Sequence, residues 1–178
     1  SSVTFQKKPS LRKHLQMATS TFNIDNFNDD KTWDLICEGY TKGVFQLESQ
    51  LGRSWAKRVR PRNIEELAAL ISLIRPGCLK AFTEGKSMTQ HYVDRKAGID
   101  EVKYLHDSLE PILKETFGVL VYQEQSMKIA QQLADFDLKE ADSLRKAIGK
   151  KKAGLMAEIK GSFVQGATNK GINEETSE

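Results

Sequence analysis

The chain has 178 residues, enough for one domain with a substantial core or for parts of two domains. Hydrophobic residues make up 39% of it and charged residues 29%, a composition typical of a globular protein that excludes a disordered one. The formal net charge of +3 is too small to indicate a nucleic-acid binder by itself, so such a role requires a local cluster of charge.

The cysteine spacing, the apolar runs and the N-terminal stretch exclude several other classes of protein. Cys37 and Cys78 lie far apart and form no C-x-x-C pair, which indicates reduced thiols in a cytoplasmic protein and leaves no four-ligand zinc site. No apolar run approaches the roughly 20 residues of a membrane span. The N-terminal "SSVTFQKKPSLRKHL" lacks the apolar stretch of a secretory signal. We therefore expect a soluble cytoplasmic protein without a membrane partner.

The N-terminal third predicts few regular elements. The first thirty or so residues are polar and indicate a loop with one short helix. The stretch "KTWDLICEG" predicts a helix that ends at Gly39 and buries three side chains, those of Trp33, Ile36 and Cys37. The stretch "GVFQLES" predicts a short buried strand, because apolar side chains stand among turn-forming residues: Val44, Phe45 and Leu47.

The middle of the chain begins with a strongly patterned helix. Asn63 is its predicted N-cap, acidic residues occupy its first turn, and Pro76 with Gly77 ends it. Its inward face carries Ile64, Leu67, Leu70, Ile71 and Ile74. The stretch "LKAFTEGKSMTQ" then predicts a loop, and "HYVDRKAG" an ordered segment that ends at Gly98.

The next segment alternates short helices with a connection. "LHDSLEPILKETFG" predicts a short helix interrupted at Pro111 and a second one that ends at Gly118. "VLVY" is consistent with a buried strand or a tight connection. A longer helix is predicted from Gln123 to Ala134, with Met127 and Ala130 on its inward face.

Two further helices complete the prediction. Asp137 is expected to cap the first of them, with Glu140 in the capping-box position, and Gly149 to lie just past its end. Its apolar stripe is Leu138, Ala141, Leu144 and Ile148. The last helix ends before Gly166 and buries Leu155, Met156, Ile159 and Phe163. The predicted fold class is mostly α with a minor β component (α+β).

The main candidate site is the basic cluster in "ADSLRKAIGKKK". Arg145, Lys146, Lys150, Lys151 and Lys152 surround a predicted helix end. Cations at a helix C-terminus complement the dipole by about 0.3–1 kcal/mol each, and spacing alone favours this interpretation. The alternative is a polyphosphate site, in which arginine supplies forked donors and lysine a point charge.

Two other motifs have functional and structural interpretations. In "LISLIRPGCLK", Arg75 either precedes a simple helix terminator or projects a guanidinium toward an anion from a rigid corner. In "VYQEQSMKIAQ", Tyr122 and Gln123 are either the polar start of a helix, which the pattern alone favours, or contacts to a base or sugar. The histidines suggest no nucleophile–base pair, and no D-x-D pair follows a predicted strand.

Five motifs in order carry a resemblance to a known family. "GVFQLES", "LISLIRPG", "LKETFGVLVYQEQSMKIAQ", "EADSLRKAIGKKK" and "FVQGATNKGI" together resemble the alpha subunits of bacterial replicative DNA polymerase III, the family C polymerases, from about Trp33 to Ile172. The stretches "KGVFQLESQLGRSWAK" and "MTQHYVDRK" resemble the versions of this subunit carried by bacteriophages more than the cellular ones.

The resemblance implies a piece of a DNA-directed DNA polymerase. Its palm has a polymerase-beta-like nucleotidyltransferase fold and its fingers are helical. Residues 1–92 would be the C-terminal part of the palm with an irregular N-terminal segment, and residues 93–178 the N-terminal part of an incomplete fingers domain. The paired catalytic aspartates of the family are absent here, so the segment alone is expected to be inactive.

The resemblance also assigns roles to the candidate residues. Arg145 and Lys146 would contact the triphosphate of the incoming nucleotide, with Lys150 and Lys151 as support. Arg75 is also expected to bind the nucleotide, from the palm side of the cleft that holds it. The residues expected to line this cleft are Gln46, Ser49, Tyr122 and Gln123.

The implied metal site departs from the family pattern. The family's third metal-ligand aspartate falls on Gln90, whose neutral amide does not replace a carboxylate at magnesium. Glu84, from a longer spacer, is a possible substitute, and no catalytic residue is otherwise certain. Magnesium is expected in the complete enzyme and none on this segment alone.

The implied partners are a DNA primer-template, a deoxynucleoside triphosphate (dNTP), the remainder of the polymerase chain, and a sliding clamp with other replisome subunits, in the bacterial cytoplasm. Two alternatives stay open. One is a split or truncated non-catalytic fragment that acts as a DNA-binding or polymerase-interaction module. The other is a helical scaffold with no nucleotide role.

Overall fold

Helices dominate residues 28–178, the part of the chain that the computed structural model describes. In chain order these are α1 (Asp30–Cys37), α2 (Gln50–Val59), α3 (Ile64–Leu73), α4 (Pro76–Lys80), α5 (Met88–Lys96), α6 (Glu110–Leu113), α7 (Gln123–Ala134), α8 (Leu138–Lys150), α9 (Ala153–Asn169) and α10 (Glu174–Ser177). Short 3-10 turns, Asp107–Leu109 and Lys114–Thr116, flank α6. The antiparallel strands β1 (Phe82–Thr83) and β2 (Lys86–Ser87) form one small sheet, so the predicted mostly helical class with a minor β component is confirmed.

Side-chain caps define where several helices begin. Asn63 Oδ1 accepts the N–H of Glu66 at 2.8 Å, as predicted for α3. At the start of α8, Asp137 Oδ1 accepts the N–H of Glu140 at 2.7 Å, and Glu140 Oε2 accepts the N–H of Asp137 at 2.8 Å. These contacts satisfy backbone donors that a helix terminus leaves without partners. Both sequence-predicted caps are therefore confirmed.

The first apolar cluster lies among α1, α2, α3 and α5. Tyr92 is fully buried there and meets Phe117 edge to face, with ring centroids 5.2 Å apart. Burial raises the pKa of the Tyr92 phenol. The other buried members are Trp33, Ile36, Leu47, Trp55, Ala56, Val59, Ala69, Leu70, Leu73 and Val119.

The second cluster joins α7, α8 and α9. Its buried residues are Ala130, Ala134, Phe136, Ala141, Ala147 and Ile159, and the small side chains of the four alanines let the helices approach closely. Gly166 on α9 lies against the backbone of α7, where an added Cβ would overlap the carbonyl oxygen of Ala134. A smaller group, Leu109, Leu113 and Leu133, connects α6 to the same helices.

The predicted strand at "GVFQLES" is wrong, because this stretch forms turns. Gln46 has a positive φ of 66°, and the Phe45 side chain is 81% exposed. Leu47 alone of the three apolar residues is fully buried, and its carbonyl accepts the Thr41 hydroxyl at 2.5 Å. A left-handed residue interrupts the extended backbone that a strand requires.

The strands lie instead in "LKAFTEGKSMTQ", which predicts a loop. Glu84 and Gly85 both have positive φ, 52° and 77°, and connect β1 to β2. Two consecutive residues of positive φ form the hairpin turn that matches strand twist. The stretch "VLVY" forms a connection and not a strand in the described structure. A tight connection is one of the two structures predicted for it.

The predicted ends of the last two long helices are also wrong. Gly149 lies inside α8, which ends where Lys151 adopts a φ of 50°. Leu138 is 71% exposed, so the predicted apolar stripe is displaced toward Ala141 and Ala147. Gly166 lies inside α9.

Two remaining observations concern the limits of the fold. None of the helices in residues 28–178 is long and apolar enough to cross a membrane. The short helix predicted among the first thirty residues falls mainly on residues 1–27, outside the described part of the chain.

Candidate functional site

The candidate cations lie where three helix ends meet. α7 and α8 are joined by residues 135–137, and the Gln123 amide nitrogen is 3.6 Å from where a Cβ on Gly149 would stand. The start of α7 is therefore beside the end of α8. Since α9 begins at Ala153, its first turn follows immediately. We call this surface the basic end; its residues are Gln123, Arg145, Lys146, Lys150, Lys151 and Lys152.

The electrostatics of the basic end favour an anion. Two helix N-termini, those of α7 and α9, each contribute partial positive charge. Lys152 is the N-cap residue of α9 and makes no side-chain capping hydrogen bond, so first-turn N–H groups of α9 stay available to a ligand. Lysines around the α8 C-terminus outweigh the partial negative charge of that one terminus.

Arg145 and Lys146 are both paired with one carboxylate. Asp142 Oδ1 accepts Arg145 Nε at 2.9 Å and lies 2.8 Å from Arg145 Nη2, while Asp142 Oδ2 lies 2.7 Å from Lys146 Nζ. Hydrogen bonds from Lys146 and then Arg145 lower the pKa of the Asp142 carboxyl. The arginine and the lysine keep further N–H donors, because these contacts use only part of each group.

Lys150, Lys151 and Lys152 are exposed and turn the chain from α8 into α9. Lys151 takes the left-handed conformation that ends α8, a position that glycine usually occupies. None of the ion pairs found within residues 28–178 includes these three lysines. Their charge is available to a ligand.

The sequence did not predict the role of Gln125, which fixes the backbone just before α7. Gln125 is buried; its Oε1 accepts the N–H groups of Val121 and Tyr122, both at 2.9 Å. Its Nε2 donates to Thr116 Oγ1 at 2.8 Å. Gln125 stands three residues after the N-cap Tyr122, as the glutamine of a capping box does, but the usual Ser or Thr at the N-cap is absent, so the sequence carries only half of that signal.

Tyr122 and Gln123 lie where the sequence predicts them, at the start of α7. Gln123 is exposed and Tyr122 half-buried, and burial raises the pKa of the Tyr122 phenol. The structure therefore brings Gln123 to the basic end. Their predicted contacts with a nucleotide stay a prediction.

Arg75, Gln46 and Ser49 lie elsewhere. Arg75 is exposed at the start of α4, and Cys78 on this helix has its Sγ 3.8 Å from the Leu120 carbonyl oxygen, just before Tyr122. Ser49 caps α2 by accepting the Gly52 N–H at 3.0 Å. Within residues 28–178, no hydrogen bond or ion pair joins Arg75, Gln46 or Ser49 to the basic end, and their place in a shared cleft stays a prediction.

The Gln90 side chain is held by hydrogen bonds to two neighbouring side chains. Its Nε2 donates to Asp94 Oδ1 at 2.6 Å, and its Oε1 accepts the Arg58 guanidinium. Asp94 Oδ2 in turn accepts Lys86 Nζ at 2.7 Å, and Lys86 also contacts Asp100 at 2.8 Å. Lys86, and then Gln90, lower the pKa of the Asp94 carboxyl.

The described residues do not fit a magnesium ion. Glu84, the possible substitute ligand, lies at the exposed turn of the hairpin. No group of three or more His, Cys, Asp or Glu side chains in residues 28–178 is arranged to hold a metal. Both oxygens of Asp94 already accept hydrogen bonds, so this carboxylate is an unsuitable replacement.

Comparison with known proteins identifies similar sequences. Residues 8–171 match the family model described as the bacterial DNA polymerase III alpha subunit finger domain. This match covers both sides of the palm–fingers boundary predicted at residues 92 and 93, which stays a prediction.

Three proteins called DNA polymerase III subunit alpha are similar to the chain. The protein of Caulobacter vibrioides (strain NA1000 / CB15N) is 50% identical over 167 residues, 93% of this chain and 14% of that protein. The protein of Aquifex aeolicus (strain VF5) is 48% identical over 148 residues, 83% of this chain and 12% of that protein. The protein of Helicobacter pylori (strain J99 / ATCC 700824) is 41% identical over 163 residues, 88% of this chain and 13% of that protein. The chain thus spans 12–14% of the length of these relatives.

Proposed function

The chain belongs to the bacterial DNA polymerase III alpha subunit finger-domain family, and we propose that it forms part of the fingers of a replicative DNA polymerase. Its relatives are several times longer than the matched segment, so polymerase activity is assigned to a longer assembly of which this chain supplies one part. By itself the segment is proposed to be inactive.

Within this function, the basic end would hold the triphosphate of the incoming dNTP. The observation that carries the proposal is the closeness of Gln123, at the start of α7, to Gly149, near the end of α8, which brings the N-termini of α7 and α9 beside a cluster of cations. Arg145 would supply forked donors, and Lys146 a point charge. Lys150 and Lys151, which have no acidic partner among the described residues, would add long-range attraction.

The proposed chemistry is transfer of a nucleotidyl group. The 3′-hydroxyl of a primer attacks the alpha-phosphate of the dNTP, and pyrophosphate leaves. Cations at the basic end would neutralise negative charge that grows on the leaving pyrophosphate. Since residues 28–178 do not fit magnesium, any magnesium of the complete polymerase is assigned to ligands outside them.

The remaining partners are proposed from what the family resemblance implies. A DNA primer-template would supply sequence choice through base pairing, with protein contacts mostly to its backbone. The rest of the polymerase would be covalently or tightly associated, and a sliding clamp with other replisome subunits would act on the complete enzyme. Arg75, Gln46 and Ser49 are proposed to line the same cleft from the other side, and Tyr122 to line it from the start of α7. The compartment is proposed to be the bacterial cytoplasm.

A binding experiment on the 178-residue chain tests the site. Arg145→Ala is compared with Arg62→Ala, which removes an arginine from another exposed ion pair, that with Asp34. Loss of Arg145 is expected to weaken binding of deoxyadenosine triphosphate about 5- to 10-fold, because one charge-assisted contact is lost. Arg62→Ala is expected to leave the affinity unchanged.

The affinity is measured by isothermal titration calorimetry at low salt, with amide NMR shifts to locate the ligand. Equal affinity of the Arg145→Ala variant and the unaltered chain would remove Arg145 from the site. If the amide NMR shifts change only at residues away from the basic end, the basic end is not the binding site.

A further inference from the structure

The pairing of two candidate ligand-binding cations with one acidic side chain has a functional consequence. Asp142, Arg145 and Lys146 lie at positions i, i+3 and i+4 of α8, so they share one face of the helix. The carboxylate engages both cations at 2.7–2.9 Å. Of the charge of +2 on the pair, half is cancelled before any ligand arrives.

A phosphate group that approaches this pair meets the same donors that Asp142 already occupies. Arg145 gives both Nε and Nη2 to Asp142 Oδ1, which is the side of the guanidinium best suited to a forked contact with an oxyanion. Lys146 gives one of its three N–H groups to Oδ2. A ligand must displace the carboxylate or bind beside its negative charge.

Asp142 has two opposing effects on a ligand. It orders two long side chains, which favours binding, and it repels anions, which opposes binding. The ordering effect is small, because the side chains of all three residues are 35–57% exposed and exposed ion pairs hold their partners weakly. The repulsion acts within a few ångströms and scales with the several charges of a polyphosphate, so it is the larger effect.

We propose that Asp142 is an internal competing anion that lowers the affinity of the basic end for phosphate ligands. This inference rests on the proposed nucleotide site at Arg145 and Lys146. For a polymerase that must release pyrophosphate in every cycle, a resident competitor favours exchange of the ligand. The occupant it competes with is any phosphate chain, either the triphosphate of a nucleotide or free pyrophosphate.

The test measures pyrophosphate and deoxyadenosine triphosphate binding to the 178-residue chain by calorimetry. Asp142→Asn is expected to tighten binding of both ligands about 3- to 10-fold, the change expected from removing one nearby like charge. Asp142→Ala, which removes the carboxylate without adding an amide, is expected to act in the same direction. Thermal melting checks that each variant is folded.

Asp135→Asn is the matched control. It adds the same +1 charge and also breaks an exposed ion pair, that with Lys170 at 2.7 Å. Asp135 lies at the far end of α7, a helix of 12 residues, and is thus about 18 Å from Gln123. Arg145 follows seven residues after the start of α8, about 10 Å along that helix, so both lie at or beyond the screening length of about 10 Å at 0.1 M salt. Its positive φ of 56° is one that asparagine also adopts readily. This control is expected to leave both affinities within about 1.5-fold.

The outcomes separate this inference from the proposed function. If a chain with Arg145→Ala and Lys146→Ala binds pyrophosphate as well as the unaltered chain, the nucleotide site itself is wrong. If that double variant binds weakly and Asp142→Asn binds no more tightly than the unaltered chain, only the competing role fails. If Asp142→Asn binds pyrophosphate more weakly than the unaltered chain, the carboxylate positions the cations and the competing role is overturned. If Asp142→Asn raises the affinity equally in a chain that also carries Arg145→Ala and Lys146→Ala, the gain is a general effect of charge. That result would also overturn the competing role of Asp142.

Discussion

Two glutamines two positions apart illustrate how differently neighbouring residues act. Gln125 is 7% exposed and its amide makes hydrogen bonds to the backbone before α7 and to Thr116. Gln123 is exposed and its side chain faces the basic end. One residue therefore fixes the backbone from which the other projects.

We predict that Gln125→Ala destabilises the chain by about 2–3 kcal/mol, because it leaves the Val121 and Tyr122 N–H groups without their acceptor. Gln123→Ala, the matched control at the same helix start, is expected to change the free energy of unfolding by less than about 0.5 kcal/mol. Urea unfolding followed by circular dichroism measures both. Similar losses for the two variants would contradict the structural role of Gln125.

Local chemistry explains which residues could be predicted from the sequence. The caps Asn63 and Asp137 were predicted correctly, because a cap depends on residues three positions apart in the chain. The ion pairs of Asp142 with Arg145 and Lys146 have the same short spacing, so they too can be predicted from the sequence. Gln90 could not be placed, since its contact with Arg58 joins residues distant in sequence.

At the scale of helices, glycines on α9 have opposite environments. A Cβ added at Gly161 meets no atom within 4 Å, whereas one added at Gly166 would overlap the Ala134 carbonyl and approach its Cα to 3.1 Å. Neither glycine has a positive φ, so the difference is one of packing rather than of backbone conformation. The close approach of α9 to α7 thus depends on one missing side chain.

We predict opposite signs for the two substitutions to alanine. Gly161→Ala is expected to stabilise the chain by about 0.5–1 kcal/mol, because alanine loses less backbone entropy in a helix. Gly166→Ala is expected to destabilise it by about 1–3 kcal/mol or more, because the helices must separate. Thermal and urea unfolding of both variants measure the difference. A stabilising Gly166→Ala would contradict the packing described for α7 and α9.

The mistaken element ends also have a physical cause. The sequence pattern predicts helix ends at Gly149 and Gly166, but a glycine inside a helix costs only about 1 kcal/mol, which packing of neighbouring helices offsets. The strand predicted at "GVFQLES" failed because Gln46 takes a left-handed conformation that glycine more often adopts. The strands β1 and β2 were not predicted because each has only two residues, too few for an alternating pattern to show.

At the scale of the whole molecule, one polar network connects separate segments of the chain. Lys86 on the hairpin contacts Asp94 on α5 and Asp100 beyond it, and Gln90 extends the network to Arg58 on α2. Asp94 is its most buried carboxylate, with its side chain 11% exposed. The acid stability of the fold therefore depends on this residue.

We predict that stability decreases as the pH falls below about 4. The folded-state pKa of Asp94 lies below its ordinary value, so its stabilising effect is complete above that value and is lost as the pH falls through the lowered pKa. Asp94→Asn is expected to cost about 1 kcal/mol at pH 7 and to have a shallower loss toward pH 2. Denaturant unfolding from pH 2 to 7 measures both curves, with Asp135→Asn as the exposed control. Parallel curves for Asp94→Asn and the unaltered chain would contradict this assignment.

The closeness of Gln123 to Gly149 has a consequence for how the molecule folds. All residues of the basic end come from a stretch of about thirty residues, 123–152, whose contacts close short loops. Contacts of low sequence separation cost little chain entropy and form rapidly. The anion-binding surface is therefore expected to be in place as soon as its own helices dock, ahead of the cluster around Tyr92, where residues from Trp33 to Val119 must first be gathered.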